Sequence, residues 1–253
     1  MRRALEALAL PLAVIAIWEV LAAAGALPRY VSRPSAIGAE LWQLARSGDI
    51  VEHAAVSLYR SMTGLLIGAL SGIVLGLLSG AIRPVAIFFD PLVAFTNPVP
   101  KIAILPVLIV WFGITDTSKI VLIAITTFYP CFLAAYAGVR QVQPAWIWAA
   151  RNMGARADQV FLKVLVPAAM PHVVGGLRIA LALAFILMFA SEAIGTAHRA
   201  GLGFLVIFAE SGGRFDLMLS AIATIGLLGF AADRLLLVAA RRVLRWQPEV
   251  FRA

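Results

Sequence analysis

"WAARNMGARADQVFLKVLVPAAMP", residues 148 to 171, is a polar passage in a chain of 253 residues that is 62% hydrophobic. It carries Arg151, Asn152, Arg156, Asp158, Gln159 and Lys163, with Gly154 in the middle and Pro167 and Pro171 at its end. Such a segment is too polar to cross a bilayer, where each ionised side chain at the centre costs ~2.5–3.5 kcal/mol. It is expected to lie at a membrane surface and to dock there. Pro144 suits the first turn of a helix and Gly154 its end, so a short helix is predicted over about 145–153. Trp146, Ala149, Ala150 and Met153 would form its apolar face at i, i+3, i+4 and i+7. A second helix, over about 156–165, would carry Val160, Phe161 and Val164 on one side. An amphipathic hairpin resting on lipid headgroups would account for Trp146, Phe161 and the arginines.

The rest of the composition sets the class. Mean hydropathy is +0.95, and 13% of residues are charged against about 25% in soluble domains. The chain belongs in a membrane. Its net charge of +8 comes from Lys and Arg scattered in ones and twos, not gathered into the basic face that nucleic-acid binding needs. A lone Cys131 permits no disulfide framework, and His53, His172 and His198 stand too far apart to suggest a metal site. No GxxxxGK[ST] loop is present to cradle phosphates, nor a Ser-His-Asp, Cys-His or HExxH constellation. The chain is therefore expected to be neither an enzyme nor a cofactor carrier.

A crossing helix needs roughly 20 mostly apolar residues, and six stretches qualify. Residues 8–26, 61–82 and 120–139 are plain spans. Residues 86–112 are interrupted by Pro91, Pro98, Pro100, Pro106 and Lys101, and predict a discontinuous helix covered by its neighbours. The fifth and sixth spans are 173–194 and 217–238. Arg2 and Arg3 before an apolar run, with Ala24-Gly25-Ala26 after it, would suit a cleaved signal peptide, but Glu6, Trp18 and Glu19 favour a retained first span. Arg83, Arg140, Arg151, Arg156, Lys163, Arg241, Arg242 and Arg245 fall on the side of the termini, which the positive-inside rule assigns to the cytoplasm. Arg29, Arg33, Arg46, Lys119, Arg199 and Arg214 lie opposite, partly offset by acidic neighbours.

Gly64, Gly68, Gly72, Gly76 and Gly80 recur every four residues in the second span. That spacing strips side chains from one ridge and lets a neighbouring backbone approach closely. Four residues turn a helix by about 400°, so the ridge drifts and is expected to meet a crossing partner rather than a parallel one.

Ala149-Ala150, Gly154 four residues on, and Val164-x-Val166-Pro167 resemble the Glu-Ala-Ala, Gly, Ile-x-Leu-Pro signature in the cytoplasmic loop of ATP-binding-cassette importer permeases. Trp148 stands where that signature has Glu. "PVPKIAILPVLIVWFGI" at 98–114, "SEAIGTAHRAGLGFL" at 191–205 and the closing "RRVLRWQP" are similar to the nitrate, sulfonate and taurine type of these permeases. The resemblance implies an all-α membrane protein with six transmembrane helices in the type I importer permease fold. It would be one permease domain over 1–253, with its core at about 55–245 and a coupling-helix hairpin in a loop at about 140–166. It implies a homodimer in the bacterial inner membrane, working with two cytoplasmic ATP-binding-cassette ATPase subunits and an extracytoplasmic solute-binding protein. The cargo it implies is a small anion such as a sulfonate, taurine or nitrate. Trp148, Ala149, Ala150, Arg151, Gly154, Arg156 and Pro167 would form the ATPase-coupling element. A self-sufficient secondary transporter is the alternative, but it should show paired discontinuous helices in two related halves.

Asn97, Lys101 and Glu192 are the candidates for the solute pathway, the last two because ionisable groups at membrane depth are functional by default. Lys101 could meet an anionic solute or satisfy carbonyls freed by the nearby prolines. Glu192 would pair with a neighbouring helix or sit at an outer gate. Asp90, followed by Pro91, reads as a helix-start cap.

Overall fold

A computed structural model describes residues 2–28, 30–195 and 200–246, with backbone alone over residues 2–8. Arg29, His198 and Arg199, the end of the closing motif, and the side chains of Arg2, Arg3 and Glu6 lie outside the described residues. The described chain is helical throughout its regular structure: α1 (Arg2–Ala23), α2 (Pro34–Ser47), α3 (Asp49–Ala81), α4 (Arg83–Thr96), a 3-10 turn (Lys101–Ile104), α5 (Leu105–Phe112), α6 (Asp116–Arg140), α7 (Pro144–Asn152), α8 (Ala157–Val160), a π-helical stretch (Phe161–Leu165), α9 (Val166–Ala193), α10 (Leu202–Ser211) and α11 (Phe215–Val243).

Four continuous helices are long and apolar enough to cross a membrane: Asp49–Ala81, Asp116–Arg140, Ala157–Ala193 and Phe215–Val243. The pair Arg83–Thr96 and Lys101–Phe112 is apolar enough when taken together and is broken at 89° as the prolines predict, the form of a broken span or a re-entrant loop. The expected first span is α1, 22 residues long, with Ala9–Ala23 as its described apolar stretch.

Two expectations that rested on prolines are corrected. The hairpin's second helix does not stop before the fifth span; α8, the π stretch and α9 run on as one helix from Ala157 to Ala193. Pro167 has no N–H and its ring crowds the carbonyl four residues back. The wide π turn just before it opens the ladder where that ring must fit, so the helix continues through the proline. Asp90 does not cap a helix start either. α4 runs through Pro91, and Asp90 accepts a hydrogen bond from the Tyr136 hydroxyl at 3.0 Å.

The chain divides into two compact units, Met1–Ser57 with Glu192–Leu227, and Leu58–Ser191 with Leu228–Ala253. In the first, Ser35 of α2 donates from backbone and hydroxyl to Glu19 of α1 at 2.9 and 2.7 Å. Arg214 pairs with Glu40 at 2.8 Å, and the Ser220 hydroxyl of α11 donates to the Ile37 carbonyl at 3.1 Å.

The second unit is built around α6. Leu122, Ile123, Cys131 and Ala135 on this helix have no exposed surface. One face of α6 takes the glycine ridge of α3. A Cβ at Gly72 would stand 2.5 Å from the Phe128 carbonyl oxygen and 3.1 Å from the Phe132 nitrogen, and one at Gly64 2.9 Å from the Ile120 carbonyl oxygen. Gly68 and Gly76 face the Ala124 and Phe132 carbonyls in the same way, and Gly80 faces Val139. Partner positions on α6 advance by four as the glycines do, so the two helices run in the same direction and stay together for about 24 Å. The expected crossing partner is thus a near-parallel one. A repeat longer than 3.6 residues is followed by wrapping two helices around each other with a right-handed sense, which cancels the drift. Arg60, one repeat before Gly64, reaches Asp116 in the first turn of α6 at 2.7 Å through Nε. Gly176 of α9 approaches α6 from another side, where a Cβ would lie 2.8 Å from the Pro130 carbonyl oxygen.

Candidate functional site: a capped hairpin and a broken span

α7 begins at Pro144 in its first turn and ends with a closing motif set by Gly154. The Ala155 N–H donates to the Ala150 carbonyl at 3.0 Å and the Gly154 N–H to the Arg151 carbonyl at 2.9 Å. This paired 6→1 and 5→2 arrangement satisfies carbonyls left orphaned at a helix end and requires a left-handed residue between them. Gly154 supplies it, at φ +84°. The chain then turns into α8, where the Gln159 side chain accepts the Arg156 N–H at 2.9 Å.

The face that α7 buries differs from the sequence expectation. Ala150 is buried and Ile147 half-buried, while Ala149 and Arg151 are exposed. Trp146, Trp148 and Met153 are 51%, 66% and 81% exposed. The apolar face expected from the spacing is split, with Ala150 turned inward and Trp146 and Met153 exposed. Trp148, at the signature's Glu position, is one of the outward aromatics. Arg156 is exposed and stands 3.8 Å from Asp158. Pro167 sits in the helix just beyond the π stretch.

At the break between α4 and α5, the Lys101 ammonium donates to the carbonyls of Thr96 at 2.9 Å, Asn97 at 2.6 Å and Val99 at 2.8 Å. It also lies 4.1 Å from the Tyr129 ring centroid. An ammonium has three donors, and here each meets a carbonyl left over where the helix stops. Of the two roles open for Lys101, the geometry shows this one. Asn97 and Lys101 line a cavity of about 540 Å³ together with Tyr129, Leu133, Leu183 and Ile186. Its walls are otherwise almost entirely apolar.

Glu192 is not brought into that cavity's lining. It is fully buried and accepts from the Ser57 hydroxyl at 2.8 Å and the Gly203 N–H at 2.9 Å. The same hydroxyl accepts the Leu202 N–H at 2.8 Å. Glu192 and Ser57 together therefore hold the first turn of α10, where backbone donors are otherwise unpaired. A Cβ at Gly201 would fall on the carboxylate itself.

Ser57, Arg60 and Tyr129 were not singled out from sequence. Arg60 carried a usable signal, because it extends the four-residue row of glycines by one repeat. Ser57 and Tyr129 carried none.

Long apolar helices, one of them broken, and a polar hairpin at their ends define a multi-pass membrane transport component. The family described as "Binding-protein-dependent transport system inner membrane component" matches residues 72–245, and the chain belongs to it. The taurine transport system permease protein TauC of Escherichia coli (strain K12) is 37% identical over 215 residues, covering 84% of this chain and 73% of that protein. SsuC of the same organism, named for aliphatic sulfonates transport, is 33% identical over 240 residues, covering 94% and 90%. Among solved structures, the MetNI methionine ABC transporter in an inward-facing conformation aligns with a TM-score of 0.58 at 23% identity, covering 83% of this chain and 97% of that one. An amino acid ABC transporter aligns with a TM-score of 0.62 at 18% identity, covering 80% and 97%. The fold is that of type I ABC importer permeases, and the protein is an inner-membrane multi-pass permease.

Proposed function

We propose that this chain is the permease subunit of an ATP-driven importer, in which two copies form the solute pathway and each seats its 145–165 hairpin on a cytoplasmic ATPase subunit. The observation that carries this reading is the α7 hairpin. It is closed by Gly154 at φ +84° and presents Trp146, Trp148 and Met153 outward. Three exposed large apolar side chains on a short helix outside the spans mark a protein-docking face. Arg156 adds charge to that face for acceptors on the ATPase, and Ala149 permits close seating. ATP-driven movement of the ATPases would reach the spans through the continuous helix from Ala157 to Ala193.

The cargo we assign is a small organic anion of the sulfonate or taurine kind, delivered by an extracytoplasmic binding protein. The names of TauC and SsuC support it, as does a mainly apolar cavity with one fixed positive charge, Lys101. With its donors committed to carbonyls, Lys101 acts on an anion as a field rather than as a ligand, and Asn97 is the polar group at hand for direct contact.

The test is reconstitution of the full chain with its ATPase and binding protein in proteoliposomes. ATP-dependent uptake of taurine or an alkyl sulfonate is expected. Uptake by the chain alone, driven by an ion gradient, would replace this reading with the secondary-transporter one. Orientation is checked separately: in a Cys131→Ala background, Arg156→Cys should resist impermeant thiol reagents outside intact cells, and ready labelling would place the hairpin on the wrong side.

A further inference from the structure

A cavity of about 620 Å³ opens behind the hairpin, where α3 and α6 end. α6 is 25 residues long and closes on Arg140. At 1.5 Å per residue it is about 37 Å in length, enough to cross a hydrocarbon core of about 30 Å. Arg140 and the cavity therefore sit at the membrane boundary whichever way the chain is oriented. The apolar walls come from Ala81 at the end of α3, Ile82 just after it, Ile147 of α7, and Phe161 and Leu165 of the π stretch. The lining cations are Arg140 and Arg151, both exposed, and neither makes an ion pair among the described residues. Arg83 follows Ile82 directly and is exposed as well. The lining carboxylate, Asp158, stands 3.8 Å from Arg156.

We infer that this cavity is a site for the phosphate headgroup of an anionic membrane phospholipid, with Arg140 and Arg151 at the phosphate and the first part of an acyl chain against Ile147, Phe161 and Leu165. Oily walls at the end of the spans with unpaired guanidiniums among them match the order of groups in a phospholipid. Basic pockets between transmembrane helices at a membrane surface take such headgroups, and guanidinium suits phosphate through paired N–H donors. A headgroup here would bridge the end of α6 to α7 and so brace the hairpin from its membrane side. The inference goes beyond the importer reading and does not need the ATPase.

The experiment uses the purified full chain in nanodiscs of phosphatidylcholine alone and of equal parts phosphatidylcholine and phosphatidylglycerol, with retained lipid counted by native mass spectrometry. Wild type should retain phosphatidylglycerol preferentially. Arg140→Gln should reduce that preference about fivefold, the effect of one basic residue near an anionic surface. Arg140→Lys should keep much of it, and Arg46→Gln, at a position not among the lining residues, should leave it unchanged. If Arg140→Gln does not fold, filling the cavity with Ile147→Trp should expel the lipid while Arg140 remains. Equal retention of the two lipids by wild type, or an unchanged preference in both Arg140→Gln and Ile147→Trp, would overturn the assignment. So would displacement of the lipid by inorganic phosphate alone, or by the ATPase when it binds. Loss of lipid preference with ATPase binding intact would leave the importer reading standing.

Discussion

Gly72 and Gly154 are the same residue used for opposite reasons. At Gly72 the backbone is ordinary helix and space decides: a Cβ would stand 2.5 Å from the Phe128 carbonyl oxygen. At Gly154 space is open, with nothing within 4 Å of such a Cβ, and conformation decides, at φ +84°. The first glycine lets two spans become one seam. The second turns the chain so that a short helix can present its outer face. A side chain at Gly72 strikes backbone that cannot rotate away, whereas one at Gly154 strains a single turn. The seam is thus a matter of global assembly, and the hairpin of local shape.

Substitutions can break or sharpen this contrast, and on the amount of folded protein they should rank in order. Arg60→Met removes the cation that ties α3 to the first turn of α6. Loss of one partner from a buried pair costs ~3–5 kcal/mol, and about 3 is expected here because the Asp116 side chain keeps 36% exposure. Thermal unfolding in detergent should show the shift, and Arg60→Lys should recover part of it. Gly72→Leu should cost about 3 kcal/mol, the upper end of the ~1–3 range for overpacking, and Gly72→Ala less. Wild-type yield for Gly72→Leu would mean the seam can open. Lys101→Met removes the partner of the Thr96, Asn97 and Val99 carbonyls, the first half-buried and the other two exposed, at about 1 kcal/mol for a typical hydrogen bond. Lys101→Arg should retain stability, and an unaffected Lys101→Met would show that water or solute replaces the ammonium. Trp148→Ala, on an exposed face, should stay within ~0.5 kcal/mol in stability yet weaken ATPase retention. Equal retention would remove Trp148 from the docking face.

The same two regions show what sequence can carry. The glycine ridge was legible because a period of four has one physical meaning in a membrane helix, close backbone approach. Its partner was not, since nothing in a row of glycines names the helix it meets, and supercoiling undid the drift argued from straight geometry. The hairpin's punctuation, Pro144 and Gly154, was legible to within a residue. Its apolar face was not legible as one unit: Ile147 and Ala150 do the packing, while Trp146 and Met153 stay exposed. Pro167 and Asp90-Pro91 misled for a common reason: proline marks a boundary, an end or a start, in an isolated helix, and packed spans override it. The Ser57–Glu192 pair, 135 residues apart, has no local pattern at all.

The central claim, that the Gly154 turn shapes a docking element without holding up the fold, is tested by comparing Gly154→Val with Gly154→Asn. Asn visits the left-handed region with little penalty, whereas a residue with a bulky Cβ pays roughly 1–2 kcal/mol and a β-branched one is a steric outlier there. Both variants should reach the membrane at wild-type levels. Gly154→Asn should keep the co-purified ATPase and ATP-driven uptake, and Gly154→Val should lose one or both. Wild-type ATPase retention and uptake in Gly154→Val would contradict the account.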